Sequence, residues 1–315
     1  MHRIGASVAA EGGRIHLSFN RTATWESPFG LAGTFVALGD EQVGPLMFFL
    51  ALPPGQELEK DPPHAHASDN WRITLKGSMP MGPDTYGTGE FRFQQGWKPY
   101  GYDHPAVGPE GGWTALMFAD RRGLRMRHVH KATAPSSPQP VEVATAEWTG
   151  IVGDVRSDDP AEGSGPSALV TSFGHVRGSH LDGGFSAAGR WPLVADGTRA
   201  IAALLGDQER GPVLVLSTTD ADRCSSPEFV VDTEVLRLVV DGSCVVGDRW
   251  YGAGDFWLQE AGVPSPGVIA GPGGLREVVV FGDRRRAVPS NISDGWTSAL
   301  PSLIGELSAR LQEVA

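Results

Sequence analysis

The strongest constraint in this sequence is that it carries one pattern twice. Ala37-Leu38-Gly39-Asp40, followed by Gly44-Pro45, returns as Leu204-Leu205-Gly206-Asp207, followed by Gly211-Pro212, at an offset of 167 residues. Gly77-Ser78, Gly82, Tyr86-Gly87-Thr88-Gly89-Glu90-Phe91 and Gln94 return as Gly242-Ser243, Gly247, Tyr251-Gly252-Ala253-Gly254-Asp255-Phe256 and Gln259, at an offset of 165. Asp120-Arg121-Arg122 then matches Asp283-Arg284-Arg285 at 163. Small drifts of this kind are what loop insertions and deletions produce. Chance likeness between glycine-rich stretches would not stay in step at so many positions. Two copies of one unit are expected.

Each copy reads as strands. Trp71 to Gly77 and Leu236 to Gly242 alternate in polarity and end at a turn glycine. Phe91 to Gln94 and Phe256 to Gln259 follow, each opened by a Gly-x-Gly-acid turn, and Trp113 to Phe118 and Glu277 to Phe281 are late strands. With 42 glycines and 24 prolines in 315 residues, a helical bundle would be broken into fragments. An all-β chain is therefore expected. One helix closes it, with Pro301 in its first turn and Leu303, Ile304, Leu307, Leu311 and Val314 on the face that packs against a barrel. Asp154 to Ser167, rich in Asp, Ser, Gly and Pro, reads as a linker or long surface loop. The expected units are 1–150, 151–290 and a helical 291–315.

Several function classes are excluded at this level. A net charge of -11 and no Lys/Arg-rich block argue against a nucleic-acid surface. The longest apolar run, Pro45 to Pro53, is too short for a membrane helix, and the N-terminal residues lack the apolar core of a signal peptide. Cys224 and Cys244 are too few for a disulfide framework. A soluble, cytoplasmic protein acting on a small molecule is expected, with homodimerisation through barrel edge strands as an option.

The strongest chemical signal is His64-Ala65-His66, followed by Asn70, Arg72 and Gly77. Histidines two apart on an extended segment point to the same side, so two neutral imidazoles can take adjacent positions on Zn, Fe, Ni or Mn. The segment resembles the first motif of the cupin superfamily, Gly-x5-His-x-His-x3,4-Glu-x6-Gly. Both histidines and the final glycine are in place, while Asn70 stands where the glutamate ligand would be. The resemblance implies two tandem jelly-roll barrels with a short C-terminal helix, a bicupin, and covers roughly residues 30–120 and 200–285.

The second cupin motif, Gly-x5-Pro-x-Gly-x2-His-x3-Asn, is ambiguous here. In the second copy Ser265 falls in the histidine place, and the repeat register then nominates Tyr100 in the first. Yet Pro99-Tyr100-Gly101-Tyr102-Asp103-His104 itself spells Pro-x-Gly-x-x-His, which nominates His104. The expected ligands are His64, His66 and His104, with Tyr100 lining the pocket as an acid or base. In the second copy Phe229 and Val231 replace the histidine pair, so that barrel is expected to be structural.

Other residues carry less. Arg72 alternates with Asn70 and could hold a carboxylate beside the metal, or be an exposed strand arginine. Gln94 and Gln259 recur in both copies, which suggests a shared structural hydrogen bond; Arg92 and Glu90 have nothing beyond their position. His128-Val129-His130 reads as a solvated strand, and His175 and His180 lie in a glycine-rich stretch without metal-like partners. The resemblance implies one divalent transition metal, Fe first, with Zn, Ni or Mn as alternatives. It leaves three classes: an Fe(II)-type dioxygenase, a redox-neutral isomerase, lyase or cyclase, and a non-catalytic small-ligand binder. His-x-His-x5-Arg-x4-Gly is similar to the segment of gentisate-type dioxygenases that also lack the glutamate.

Overall fold

The computed structural model describes residues 3–4, 13–25, 32–40, 43–57, 64–81, 84–98, 106–124, 126–128, 140–141, 170–172, 174–175, 180–289 and 296–312. The expected linker and the His104 and Tyr100 positions lie outside these residues. The strands that place the site in the first half are β1 (Arg14–Ser18), β2 (Ala32–Ala37), β3 (Leu46–Leu52), β4 (His64–His66), β5 (Asn70–Met81), β6 (Asp84–Gly87), β7 (Glu90–Gln94), β8 (Gly112–Phe118) and β9 (Met126–His128). Those that follow are β10 (His180–Gly184), β11 (Thr198–Leu204), β12 (Val213–Thr219), β13 (Cys224–Ser226), β14 (Val235–Val246), β15 (Arg249–Gly252), β16 (Asp255–Gln259) and β17 (Val268–Phe281). The helix α1 spans Leu300–Gln312.

All the strand stretches expected from the sequence are strands, and every ladder among them is antiparallel. The first sheet runs β2-β3-β8-β5-β7-β10, and the second runs β11-β12-β17-β14-β16-β1. The two orders are the same path through the two copies, with one exchange at the ends. Strand β1 precedes the first copy yet pairs with β16 of the second, and β10 precedes the second copy yet pairs with β7 of the first. Each half lends its leading strand to the other.

The duplicated residues explain why the copies fold alike. In the Gly-x-Gly-acid turns, Gly87 N donates to Glu90 at 2.6 Å and Gly252 N to Asp255 at 2.8 Å, so Glu90 does have a counterpart. At the end of the long strands, Gly77 and Gly242 have φ of +68° and +73°, and a Cβ there would stand 2.0 and 2.2 Å from the carbonyl oxygens of Gly111 and Gly274. No other residue fits those two places. Gln94 Nε2 donates to Lys98 O at 2.9 Å, and Gln259 Nε2 donates to Val263 O in the same way. The shared structural hydrogen bond expected of this pair is present.

Strand periodicity divides each sheet into two faces. One face of the first sheet, with Met47, Trp71, Ile73, Phe91, Phe93 and Met117, packs against Leu214, Leu216, Leu236, Leu238, Phe256 and Val280 of the second in one buried cluster. The contact is fastened reciprocally. Gly39 N donates to Glu234 Oε2 and Gly206 N to Asp69 Oδ2, both at 3.1 Å, and Glu234 and Asp69 are themselves repeat partners. The opposite faces become the insides of two cups. Phe35, Phe48 and Phe118 line the first, while Val213, Val215, Val279 and Phe281 line the second. The helix α1 lies on the second half, where Leu300 and Leu307 are buried beside Trp296 and Phe229. Among the described residues no helix is long and apolar enough to cross a membrane.

Candidate metal centre

Strand β4 carries His64 and His66, and both are buried. Their rings lie 5.2 Å apart between centroids and nearly perpendicular, at 87°. The period of two puts both on one side of the strand, as the sequence implied. His66 Nδ1–H donates to the Gly123 carbonyl at 2.6 Å, which fixes the tautomer and leaves the lone pair on Nε2. Its ring rests on Phe118 at 4.7 Å. Burial, then the Arg72 cation, then His64 hold the His66 pKa well below the ordinary value, against the opposing pull of the Gly123 bond. His66 is therefore neutral at ordinary pH, the state a ligand needs.

Strand β5 runs beside the pair. Asn70 is opposite Phe118 and Arg72 opposite Leu116, so both side chains face into the first cup. Asn70 is 1% exposed, and neither its Oδ1 nor its Nδ2 has a hydrogen-bond partner among the described residues. A buried amide with both ends unmet costs a few kcal/mol unless something in the cup meets it. Arg72 is not the exposed strand arginine that was the alternative reading. Burial, and then the neighbouring Arg92 cation, bring its pKa down to about 10, and it is close enough to bear on His66.

Two imidazoles on one side of a strand, that of His66 neutral, and an unmet amide in the position of the glutamate fit a divalent first-row metal. Among the described residues no group of three His, Cys, Asp or Glu gathers, and the candidate third ligand His104 lies outside them. The second half offers its own copy of the ambiguous position. Ser265 exchanges two backbone hydrogen bonds with Phe229, at 2.7 and 3.1 Å, and these are the repeat partners of Tyr100 and His64. The second His-x-His begins on β9, where His128 is paired in register with His64; His130 lies outside the described residues.

The second cup is filled. Phe229 and Val231 are buried against Phe281, Trp296 and Leu300. Arg237, the repeat partner of Arg72, forms a fully buried ion pair with Glu277 at 3.3 Å. Its Nη2 donates to Ser226 Oγ at 2.7 Å, and the Ser217 and Ser225 hydroxyls donate to Glu277 Oε1 at 3.3 and 2.5 Å. The rings of Phe229 and Trp296 lie 5.6 and 5.5 Å from the guanidinium carbon. Sequence reasoning missed this pair, although the 165-residue offset placed Arg237 under Arg72.

It also set His180 aside. The strand exchange brings β10 to the first sheet, and His180 Nε2 there lies 3.4 Å from Asp182 Oδ2.

No protein-family model and no curated protein matches the sequence. Solved structures do. The salicylate 1,2-dioxygenase of Pseudoaminobacter salicylatoxidans, in its adduct with gentisate, superposes with a TM-score of 0.52 at 11% identity, covering 88% of this chain and 83% of that one. A candidate dioxygenase of Nostoc punctiforme superposes with a TM-score of 0.51 at 14% identity, covering 89% and 87%. At such identities the likeness concerns the fold. Together with the duplicated antiparallel sheets, it identifies the chain as two tandem jelly-roll barrels of the cupin fold.

Proposed function

We propose that the first cup binds one divalent transition metal, Fe(II) by preference, and that the protein is an oxygen-dependent cupin enzyme acting on a small organic acid. The observation that carries this is the buried His64–His66 pair facing a cup that also holds the unmet Asn70 amide. His64, His66 and His104 would hold the metal, which would supply Lewis-acid and oxygen-activating chemistry toward a chelating substrate.

The chain's own residues supply the rest. The Gly123 carbonyl keeps the His66 lone pair on Nε2. Arg72, charged throughout the physiological range despite its lowered pKa, receives the anionic oxygen of the acid. Phe35, Phe48 and Phe118 keep the floor of the cup dry, which strengthens each charge interaction above it. Tyr100, outside the described residues, is assigned here the part of an acid or base. The second barrel, with its histidine pair replaced and its cup filled, supports the first.

The test is elemental analysis of the purified full chain after anaerobic Fe(II) loading, followed by oxygen-electrode assays with hydroxylated carboxylic acids. About one iron per chain, lost in His64→Ala and His66→Ala, with oxygen consumed by the wild type, is the expected result. Equal metal in variants and wild type overturns the site. Bound metal without oxygen uptake overturns the oxygenase.

A further inference from the structure

The inward face of β5 carries a third polar side chain beyond Asn70 and Arg72. Thr74 is the next residue in the alternation, and it lies opposite Thr114 of β8, itself opposite Leu50 of β3. Residues directly opposite in antiparallel strands share a face, so all three belong to the wall of the first cup. Thr74 is 0% exposed, and its hydroxyl has no hydrogen-bond partner among the described residues. The hydroxyl opposite it is engaged, since Thr114 Oγ1 donates to the Ile73 carbonyl at 2.9 Å. A buried hydroxyl left unmet is costly, and one aimed into a cup is a place for a ligand oxygen.

The second cup shows the same wall with its polar groups redistributed. The repeat partner of Thr74 is Val239 on β14, opposite Glu277 of β17, itself opposite Ser217 of β12. Glu277 and Ser217 thus stand where Thr114 and Leu50 stand in the first cup. Here the chain supplies its own carboxylate at this level. Arg237 pairs with it at 3.3 Å, and the Ser217 hydroxyl, from the strand on one flank of Glu277, reaches it at 3.3 Å. Val239 is on the other flank and offers only methyls.

The duplication has therefore made a matched pair. Threonine and valine have nearly one shape and differ by a hydroxyl for a methyl. The cup that carries an internal acid has the methyl on this flank, and the cup with threonine in the place of that acid has the hydroxyl. Arginine stands two residues earlier in both. A carboxylate lying in the first cup where Glu277 lies in the second would have the Thr74 hydroxyl on its flank, as Glu277 has that of Ser217.

We propose that Thr74 is a specificity-determining residue of the first cup, its hydroxyl donating to the carboxylate of a bound organic acid that takes the place held by the Glu277 carboxylate in the second. The inference rests on the reading of the first cup as the site of a metal and a small acid. Position 114 decides whether the acid comes from the chain or from solution. Thr74 and Arg72 together favour an acid over its primary amide, which replaces one acceptor oxygen with an N–H donor pair.

The experiment titrates 2-hydroxybenzoate and glycolate, each beside its own primary amide, into anaerobic iron(II)-loaded full-length protein and follows the heat of binding. Wild type, Thr74→Val, Thr74→Ser and Thr114→Glu are compared, with iron content and denaturant midpoint measured on the same preparations. Thr74→Val should keep its iron and a midpoint no lower than wild type, because valine is the residue of the second cup and the hydroxyl meets no partner among the described residues. It should weaken the acids about 10–100-fold, as expected for one lost hydrogen bond to a charged group, and the amides less. Thr74→Ser should restore the preference. Thr114→Glu should bring an internal acid into the first cup and abolish acid binding with iron retained. Acid binding by Thr74→Val equal to wild type, or an equal loss for acids and amides, overturns the proposal whether or not Thr114→Glu folds. An iron-loaded wild type that takes up neither acid overturns the small-acid reading, and with it this one; a wild type that retains no iron overturns the metal site.

Discussion

Arg237 and Glu277 lie 3.3 Å apart, both fully buried, at the strand level of the second cup where the first cup carries Arg72. A buried ion pair of this kind costs so much desolvation that its net stabilising value is small, but removing one member strands the other charge in an apolar cup. Glu277→Ala should therefore destabilise the protein by about 3–5 kcal/mol, read as a lower denaturant midpoint. The iron content of the first cup should be unaffected. A change below about 0.5 kcal/mol would show that Arg237 does not depend on Glu277.

Equivalent positions in the two cups should respond to truncation in opposite ways. His64→Ala and His66→Ala should abolish metal retention, because loss of a direct ligand exceeds the roughly 10–100-fold loss typical of a residue that merely orients one. Phe229→Ala should leave metal content intact and cost about 3–5 kcal/mol through the cavity it opens against Phe281 and Trp296. Elemental analysis and chemical denaturation on the same preparations decide both halves of the statement.

For the third ligand, the expected outcome is metal loss in His104→Ala and metal retention in Tyr100→Phe. Imidazole binds first-row metals as a neutral ligand, whereas a phenol must first lose a proton from a pKa near 10. Ser265, which the 165-residue offset sets against Tyr100, bridges Phe229 in the second half, and a reversed result would be read as phenolate ligation by Tyr100.

Without metal, His66 sets an acid limit on stability. Its folded pKa lies below the ordinary histidine value of about 6.5, so between the two the unfolded chain binds more protons. Stability is thus fully present above about pH 6.5 and falls as pH drops toward the folded value. Urea midpoints of chelated protein should decline from pH 7 to pH 5, and His66→Gln should flatten that decline. Parallel curves for the two proteins would remove His66 as the cause.

The architecture was legible because it is local and repeated. Gly77 and Gly242 need positive φ, Glu90 and Asp255 close their own turns, and Gln94 and Gln259 bond four residues ahead. The His64–His66 pair was legible for the same reason, since two residues on one strand share a side whatever the rest of the fold does. What escaped depends on chain segments far apart. Asp182 meets Arg92 across 90 residues and Glu277 meets Arg237 across 40, and no period or spacing links either pair. His180 appeared isolated because its partners on β7 are brought to it by an exchange of strands that the repeat itself does not announce.

That exchange makes the duplication indivisible. A cut between β9 and β10 leaves β10 on one piece and the β7 edge it covers on the other, and likewise separates β1 from β16. Each severed half would present a bare row of backbone donors and acceptors, ready to pair with whatever strand it meets next. Because each copy depends on a strand from its twin, neither half is dispensable to the other, whatever its own cup holds: each finishes the wall of its neighbour's sheet.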